Sequence, residues 1–197
     1  MARHEIRIGG LGGQGVILCG MILGRAAAIY DGKNATLIQS FGPEARGSAC
    51  SAQVTLSDEA IGYPYVERPE ALLLLSRDAA AQFVPQLKAG GLVLYDNELL
   101  PDLPDLPPGA RTLGLPATRW AEELGRRLAS NVVMAGFFAG LTGWVSAAAM
   151  EKAVLDLVPR GSEDLNLRAL RQGHDYGRQL ESQGSSAAKK AHCEYIR

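Results

Sequence analysis

Glu5-Ile6-Arg7-Ile8-Gly9-Gly10-Leu11-Gly12-Gly13-Gln14-Gly15-Val16 is the stretch whose reading decides the fold. Its first four residues alternate charged and β-branched side chains, the period-two pattern of a strand, and then run into glycines at 9, 10, 12, 13 and 15. An apolar run from Val16 to Tyr30 follows, so the stretch predicts strand, glycine turn and helix. Asp31-Gly32 closes that helix, and Ala35–Ile38 predicts a second strand leading into a turn at Gly42-Pro43. The chain therefore opens with a βαβ unit.

Outward from this unit, Cys50, Ala52, Val54 and Leu56 alternate with Ser51, Gln53, Thr55 and Ser57, which predicts a strand with one wet face. Ala71–Leu75 is a continuous apolar run and predicts a central strand covered on both faces. Leu92–Tyr95 predicts another, separated from the first by a helix ending at Gly90-Gly91. The proline-rich stretch 101–116 predicts an irregular crossing loop with a short edge strand at Arg111–Leu113. Beyond Thr118 the pattern turns helical: Arg119–Leu128, Asn131–Leu141, Ala147–Leu157 behind a Ser146 cap, and Glu163–Glu181 behind Ser162. Leu157-Val158-Pro159-Arg160-Gly161-Ser162 has the form of a protease-cleavage linker, but helical pattern on both sides makes it an interhelix turn. The expected fold is α/β, an open Rossmann-like sheet sandwiched by helices, with a helical C-terminal portion. Residues 1–182 form its single domain, and the polar stretch 183–197 is expected to be a flexible tail.

Composition narrows the function. Among 197 residues, 47% are hydrophobic and 21% charged, the make-up of one ordinary globular domain. With 20 Lys+Arg against 21 Asp+Glu the chain is too balanced to live on phosphate-backbone contacts, so no nucleic-acid partner is expected. No apolar stretch approaches the ~20 residues of a membrane span, and no signal peptide precedes the first strand, which predicts a cytoplasmic protein. Cys19, Cys50 and Cys193 are scattered and form no metal, cluster or redox pair. His4, His174 and His192 lie far apart along the chain, so no catalytic residues and no metal site are expected.

Binding chemistry concentrates in two segments. Gly10, Gly12, Gly13, Gln14 and Gly15 belong to a G-x-G-x-x-G pattern between a strand and a helix, where bare backbone and free N–H groups suit a pyrophosphate; a ligand-free tight turn is the alternative. A nicotinamide dinucleotide would call for a carboxylate at the end of the second strand, where this chain has Ile38-Gln39-Ser40. The second segment is Phe41-Gly42-Pro43-Glu44-Ala45-Arg46-Gly47-Ser48, expected on the same edge of the sheet. There Arg46 offers a bidentate phosphate contact, or a structural pairing with Glu44 or another chain, and Gly47 permits close backbone approach. Asn131 stands at the start of a predicted helix, either as its N-cap or as a ligand contact. A phosphate-binding loop without reactive groups suggests one part of a larger assembly.

These residues resemble the gamma subunit, or gamma domain, of the 2-oxoacid:ferredoxin (or other acceptor) oxidoreductases. The resemblance rests on Gly10–Val16, Phe41–Gly47, Ala121-Glu122-Glu123-Leu124-Gly125 followed by Asn131, and Asn166, Ala169 and Gly173, and spans about residues 5–180. Ser48 departs from it, since the family usually carries a second glycine there. The resemblance implies a complex that oxidatively decarboxylates a 2-oxoacid to an acyl-CoA and passes electrons to ferredoxin or a related acceptor. It associates this domain with CoA and places thiamine diphosphate, Mg and iron–sulfur clusters in partner subunits. Two rivals remain: a purely structural assembly subunit, with the Asn131–Leu141 stretch and Trp144 as core or subunit contact, and a nicotinamide-dinucleotide-binding domain.

Overall fold

The structure, a computed structural model, describes residues 2–42 and 47–194, with side chains as far as residue 183. Strand β1 (Arg3–Leu11) leads through the glycine turn into helix α1 (Val16–Arg25). That helix ends in a π turn, Ala26–Tyr30, where Asp31 N–H reaches back to Ala26 O at 3.0 Å. Strands β2 (Asn34–Phe41) and β3 (Ala49–Ser57) form a hairpin, and β4 (Ala71–Leu74), α2 (Arg77–Phe83), β5 (Leu92–Asp96) and β6 (Arg111–Leu115) follow. The helical portion comprises α3 (Ala117–Glu123), α4 (Ser130–Thr142), α5 (Ala147–Leu157) and α6 (Glu163–Glu194).

The six strands lie in the order β2-β3-β1-β4-β5-β6. Strand β3 runs antiparallel to both of its neighbours, whereas β4, β5 and β6 continue parallel from β1. The opening unit is thus a βαβ with a strand inserted into it: β1 and β2 point the same way but do not touch. One consequence positions the site. The end of β1, the β2–β3 turn and the ends of β4, β5 and β6 all fall on one edge of the sheet.

Helix α1 and the four C-terminal helices cover one face, packing on Ile6, Ile8, Ala52, Val54, Leu73 and Leu94. Helix α2 covers part of the other face, over Leu72, Leu74 and Val93. Ser76 caps α2, its hydroxyl accepting from Ala79 N–H at 3.2 Å, and Ser146 caps α5 in the same way. The expected edge strand after the proline-rich loop is present as β6. Three expectations are corrected. The face of β3 expected to be wet is largely covered: Ser51 and Thr55 are buried, and Gln53 Oε1 accepts from Val66 N–H at 2.8 Å. The helix expected over Arg119–Leu128 stops at Glu123, where Gly125 takes φ 101°, and a 3₁₀ turn over Arg127–Ala129 replaces its end. Helix α6 in turn extends past Glu181, its backbone running on to Glu194.

The centre of the helical layer is α4, buried from Ser130 to Leu141. Phe137 and Phe138 are fully buried, so this stretch is core and not a subunit contact. Glycines let α4 and α6 approach to backbone distance. A Cβ at Gly140 would stand 2.1 Å from His174 O, and one at Gly173 only 2.0 Å from Val133 O. By contrast, a Cβ at Gly24 in α1 would meet nothing within 4 Å. Gly140→Ala should therefore destabilise the chain by about 2 kcal/mol through overpacking, whereas Gly24→Ala should stabilise it by up to about 1 kcal/mol through helix propensity. Urea denaturation checks both signs, and equal effects would contradict the packing assigned to α4 and α6.

Candidate functional site

The glycine turn is held from within. Gln14 N–H donates to Leu11 O at 3.0 Å, its Oε1 accepts from Leu11 N–H at 2.6 Å, and its Nε2 donates to Leu75 O at 2.8 Å. Gln14 thereby braces the turn against the end of β4. Gly15 ends the turn with φ 72° and precedes α1 without any side-chain cap, and the first turn of α1 has no acidic residue. The first N–H groups of α1 lack intrahelical acceptors and carry the positive end of its dipole. Gly13 has φ 97° and faces open space, since a Cβ there would meet no atom within 4 Å.

The second segment meets the first through backbone hydrogen bonds. Gly12 N–H donates to Ser48 O at 2.8 Å, and Gly47 N–H donates to Gly12 O at 3.1 Å. The two loops read as facing the same edge are thus tied together at Gly12. Gly47, with φ 78°, is exposed. Ser48 in place of a glycine leaves this tie intact, because it contributes its carbonyl and has no positive φ. Arg46 lies outside the described residues, together with Pro43, Glu44 and Ala45.

Asn131 joins the helical layer to the same turn from behind. It is 1% exposed, its Nδ2 donates to Gly15 O at 2.9 Å, and its Oδ1 accepts from Val132 N–H at 2.9 Å. It sits inside the first turn of α4, not at the N-cap, which is Ala129. These bonds direct its amide inward, to the carbonyl that also accepts Cys19 N–H at the start of α1. Gly10, whose Cβ would stand 2.6 Å from Gln14 Oε1, is needed for the same close packing.

Several other polar groups have structural partners. Asp96, fully buried at the end of β5, accepts from Thr118 N–H at 2.8 Å and Thr118 Oγ1 at 2.5 Å, fastening the start of α3. Burial pushes the Cys19 thiol up to about 12 and raises that of Cys50, so neither is a ready thiolate nucleophile. His4 stacks on Trp144 at 3.8 Å and meets Glu70 through Nδ1 at 3.1 Å. Among the described residues no group of three or more His, Cys, Asp and Glu is arranged around a metal position. No helix among them is long and apolar enough to cross a membrane. A residue the sequence pattern did not single out is Arg7, buried on the α2 face of β1. Its place in an alternating charged and apolar strand gave the look of a solvated face.

Comparison with known proteins matches residues 5–176 to the family described as pyruvate ferredoxin/flavodoxin oxidoreductase. The chain belongs to that family. It is 46% identical over 181 residues to the 2-oxoglutarate synthase subunit KorC of Methanocaldococcus jannaschii, covering 90% of this chain and 96% of that protein. The crystal structure of the keto/oxoacid ferredoxin oxidoreductase gamma subunit from Geobacter sulfurreducens superposes with a TM-score of 0.78 at 40% identity, covering 89% of this chain and 99% of that one. A more distant fold match, at 23% identity and a TM-score of 0.79, is the 2-oxoglutarate:ferredoxin oxidoreductase from Magnetococcus marinus; it covers 93% of this chain and 32% of that one. The protein is thus a gamma-type subunit of a 2-oxoacid:ferredoxin oxidoreductase complex, in agreement with the resemblance carried by its motifs.

Within this gamma subunit the geometry assigns different jobs to the glycines. Gly15→Ala would place a Cβ 2.3 Å from Asn131 Nδ2 in a left-handed backbone, and should cost about 3 kcal/mol. Gly13→Ala meets open space and should cost only the left-handed penalty, about 1 kcal/mol. Adding Asn131→Ala should relieve part of the Gly15→Ala loss and none of the Gly13→Ala loss. Denaturation of the single and double variants reads this difference directly, and additive losses at Gly15 and Asn131 would contradict the contact.

Proposed function

We propose that this gamma subunit binds CoA for the complex at the edge where the glycine turn and the β2–β3 turn meet, and that it also contributes to subunit assembly. The observation that carries this reading is the reciprocal Gly12–Ser48 and Gly47–Gly12 backbone pairing beside the uncapped, acid-free start of α1. That arrangement offers free N–H groups and bare backbone to a pyrophosphate without a competing carboxylate in the helix. Gly10, Gly12, Gly13, Gln14 and Gly15 form and support the cradle, with Gly47 beside it and Asn131 behind it. Arg46 is proposed as the charged contact to a CoA phosphate. The Magnetococcus marinus structure is described with 2-oxoglutarate, coenzyme A and succinyl-CoA bound, which supports CoA as the ligand class to test.

In this reading the complex oxidatively decarboxylates a 2-oxoacid to its acyl-CoA and passes electrons to ferredoxin or a related acceptor. Thiamine diphosphate, Mg and iron–sulfur clusters are assigned to partner subunits, and the complex to the cytoplasm. The names of the KorC relatives make 2-oxoglutarate the first substrate to assay. The nicotinamide alternative is disfavoured by the sheet order. With β3 between β1 and β2, Gln39 at the end of β2 stands two strand spacings, about 10 Å, from β1. The purely structural alternative draws on the internal bonds of Gln14 and Asn131, and assembled variants separate it from the CoA reading.

Gly13→Asp is the informative variant, because its side chain enters open space and aspartate tolerates a left-handed backbone. In the assembled complex it should raise KM for CoA about tenfold or more through like-charge repulsion, with KM for the oxoacid little changed. Arg46→Ala should cost roughly 1.5–3 kcal/mol of CoA affinity, about 10- to 150-fold. Steady-state kinetics of complexes with verified subunit content check both, and unchanged CoA dependence in the two variants would leave the edge a structural turn.

A further inference from the structure

Strand β2 is the last strand on its side of the sheet, so its outer edge has no strand partner among the described residues. Which groups lie on that edge follows from one bond. The register sets Phe41 opposite Cys50, and hence Gly42 opposite Ala49, and Gly42 N–H donates to Ala49 O at 2.8 Å. In an antiparallel pair, opposed residues that bond in this way alternate with opposed residues that do not. Ser40, Ile38, Thr36 and Asn34 therefore bond to β3, whereas Phe41, Gln39, Leu37 and Ala35 turn their N–H and C=O groups outward. Strand edges of this kind are usually guarded by lysine, proline, an inward charge or a bulge. Strand β2 reads Asn34-Ala35-Thr36-Leu37-Ile38-Gln39-Ser40-Phe41, with no charge and no proline, and its register with β3 is unbroken.

The flank of this edge is apolar. Ala35 and Leu37 oppose Leu56 and Val54, so the outward residues carry their side chains on the face covered by α1. Helix α1 sits close there: a Cβ at Gly20 would stand 3.0 Å from Leu37 Cδ1. Beside it lies a pocket of about 190 Å³, lined among others by Met21, Gly24, Ala28, Ala35, Leu37 and Leu157. Phe41, at the end of the strand, is 67% exposed, and Met21 is 37% exposed.

We propose that the β2 edge pairs with the β2 edge of a second copy of this chain, antiparallel about a two-fold axis through Ile38. A two-fold contact brings the same patch of both chains together, so it must be complementary to itself. Centring it on Ile38 sets Leu37 opposite Gln39 of the second copy and Ala35 opposite Phe41, which pairs all four outward residues on each chain. Moving the axis to Leu37 leaves Phe41 over, and moving it to Gln39 leaves Ala35 over. The same register lays the exposed Phe41 ring beside Ala35 of the other copy, at the apolar pocket that Ala35 lines. A second copy is singled out because the ladder, the ring and the pocket all stand on one chain and meet under a single axis. The pairing makes the proposed assembly role specific and rests on that part of the reading alone; it uses the side of the sheet, whereas CoA is assigned to the strand ends.

The test joins sedimentation velocity of the full chain with site-directed cross-linking. The wild-type chain should sediment as a dimer at about 100 µM, a hundredfold above a micromolar Kd. Gln39→Pro removes an outward N–H and none of the bonds to β3, a place where an edge strand tolerates proline, and should weaken self-association at least about tenfold. In a Cys193→Ser background, Ile38→Cys faces its own copy across a non-bonded pair with Cα atoms about 4.5 Å apart, within disulfide reach, and should give a linked dimer on mild oxidation. Gln39→Cys faces Leu37 of the other copy and should not, a contrast that carries the test should Gln39→Pro not fold. A monomeric wild-type chain, unchanged association in folded Gln39→Pro, equal cross-linking from positions 38 and 39, or linkage of Ile38→Cys to a different subunit of the assembled complex would each overturn the proposal. None of these readouts involves CoA, so a monomeric chain would overturn the pairing and leave the CoA reading standing.

Discussion

The backbone exchange at Gly12, donating to Ser48 O and accepting from Gly47 N–H, is the contact on which the rest of the molecule's arrangement depends. It can form only because β3 enters the sheet antiparallel between β1 and β2, so that the start of β3 lies beside the end of β1. A parallel β2 next to β1 would instead leave the start of β3 one strand further away. The same insertion opens the space on the other face where Arg7, Ser51 and Gln53 line a pocket, because α2 is too short to cover three strands at once.

Rigidity at this edge is borrowed from the helical layer. Asn131 ties Gly15 O to the first turn of α4, and α4 is in turn clamped by α6 through glycine-to-carbonyl approaches at Gly136, Gly140 and Gly173. Interiors packed to this density transmit displacement rather than absorb it. A shift in α4 would therefore move Gly15 and the free N–H groups of α1. The tie also separates two kinds of glycine: Gly10 and Gly15 exist to let side chains of the core approach, whereas Gly13 leaves space on the open side.

Much of this was legible from local pattern. The strand, glycine turn and helix at the start, the buried strand at Ala71–Leu74, the edge strand after the proline-rich loop and the Ser146 cap each follow from periodicity or capping chemistry, which act within a few residues. The insertion of β3 did not follow, since strand order is set by pairings that span the sheet and leave no local mark. For the same reason the alternation over Cys50–Ser57 suggested a wet face, whereas Ser51, Thr55 and Ser57 are buried and Gln53 is bonded to Val66. Within the site, the meeting of the two loops was legible because both follow strands that point the same way. The inward amide of Asn131 was not, because its partner Gly15 lies far off in sequence. Arg7 escaped notice for a related reason: an alternating charged residue in a strand looks solvated until the opposite layer is known.

The central claim, that the edge formed by the glycine turn and the β2–β3 turn is where CoA phosphates are held, is tested most directly by hydrogen-exchange mass spectrometry on the assembled complex with and without CoA. Addition of CoA is expected to slow exchange in peptides covering residues 12–18 and in those covering 41–49, with peptides from α5 unchanged. Slowed exchange confined to partner subunits, with both of these segments unaffected at saturating CoA, would contradict it.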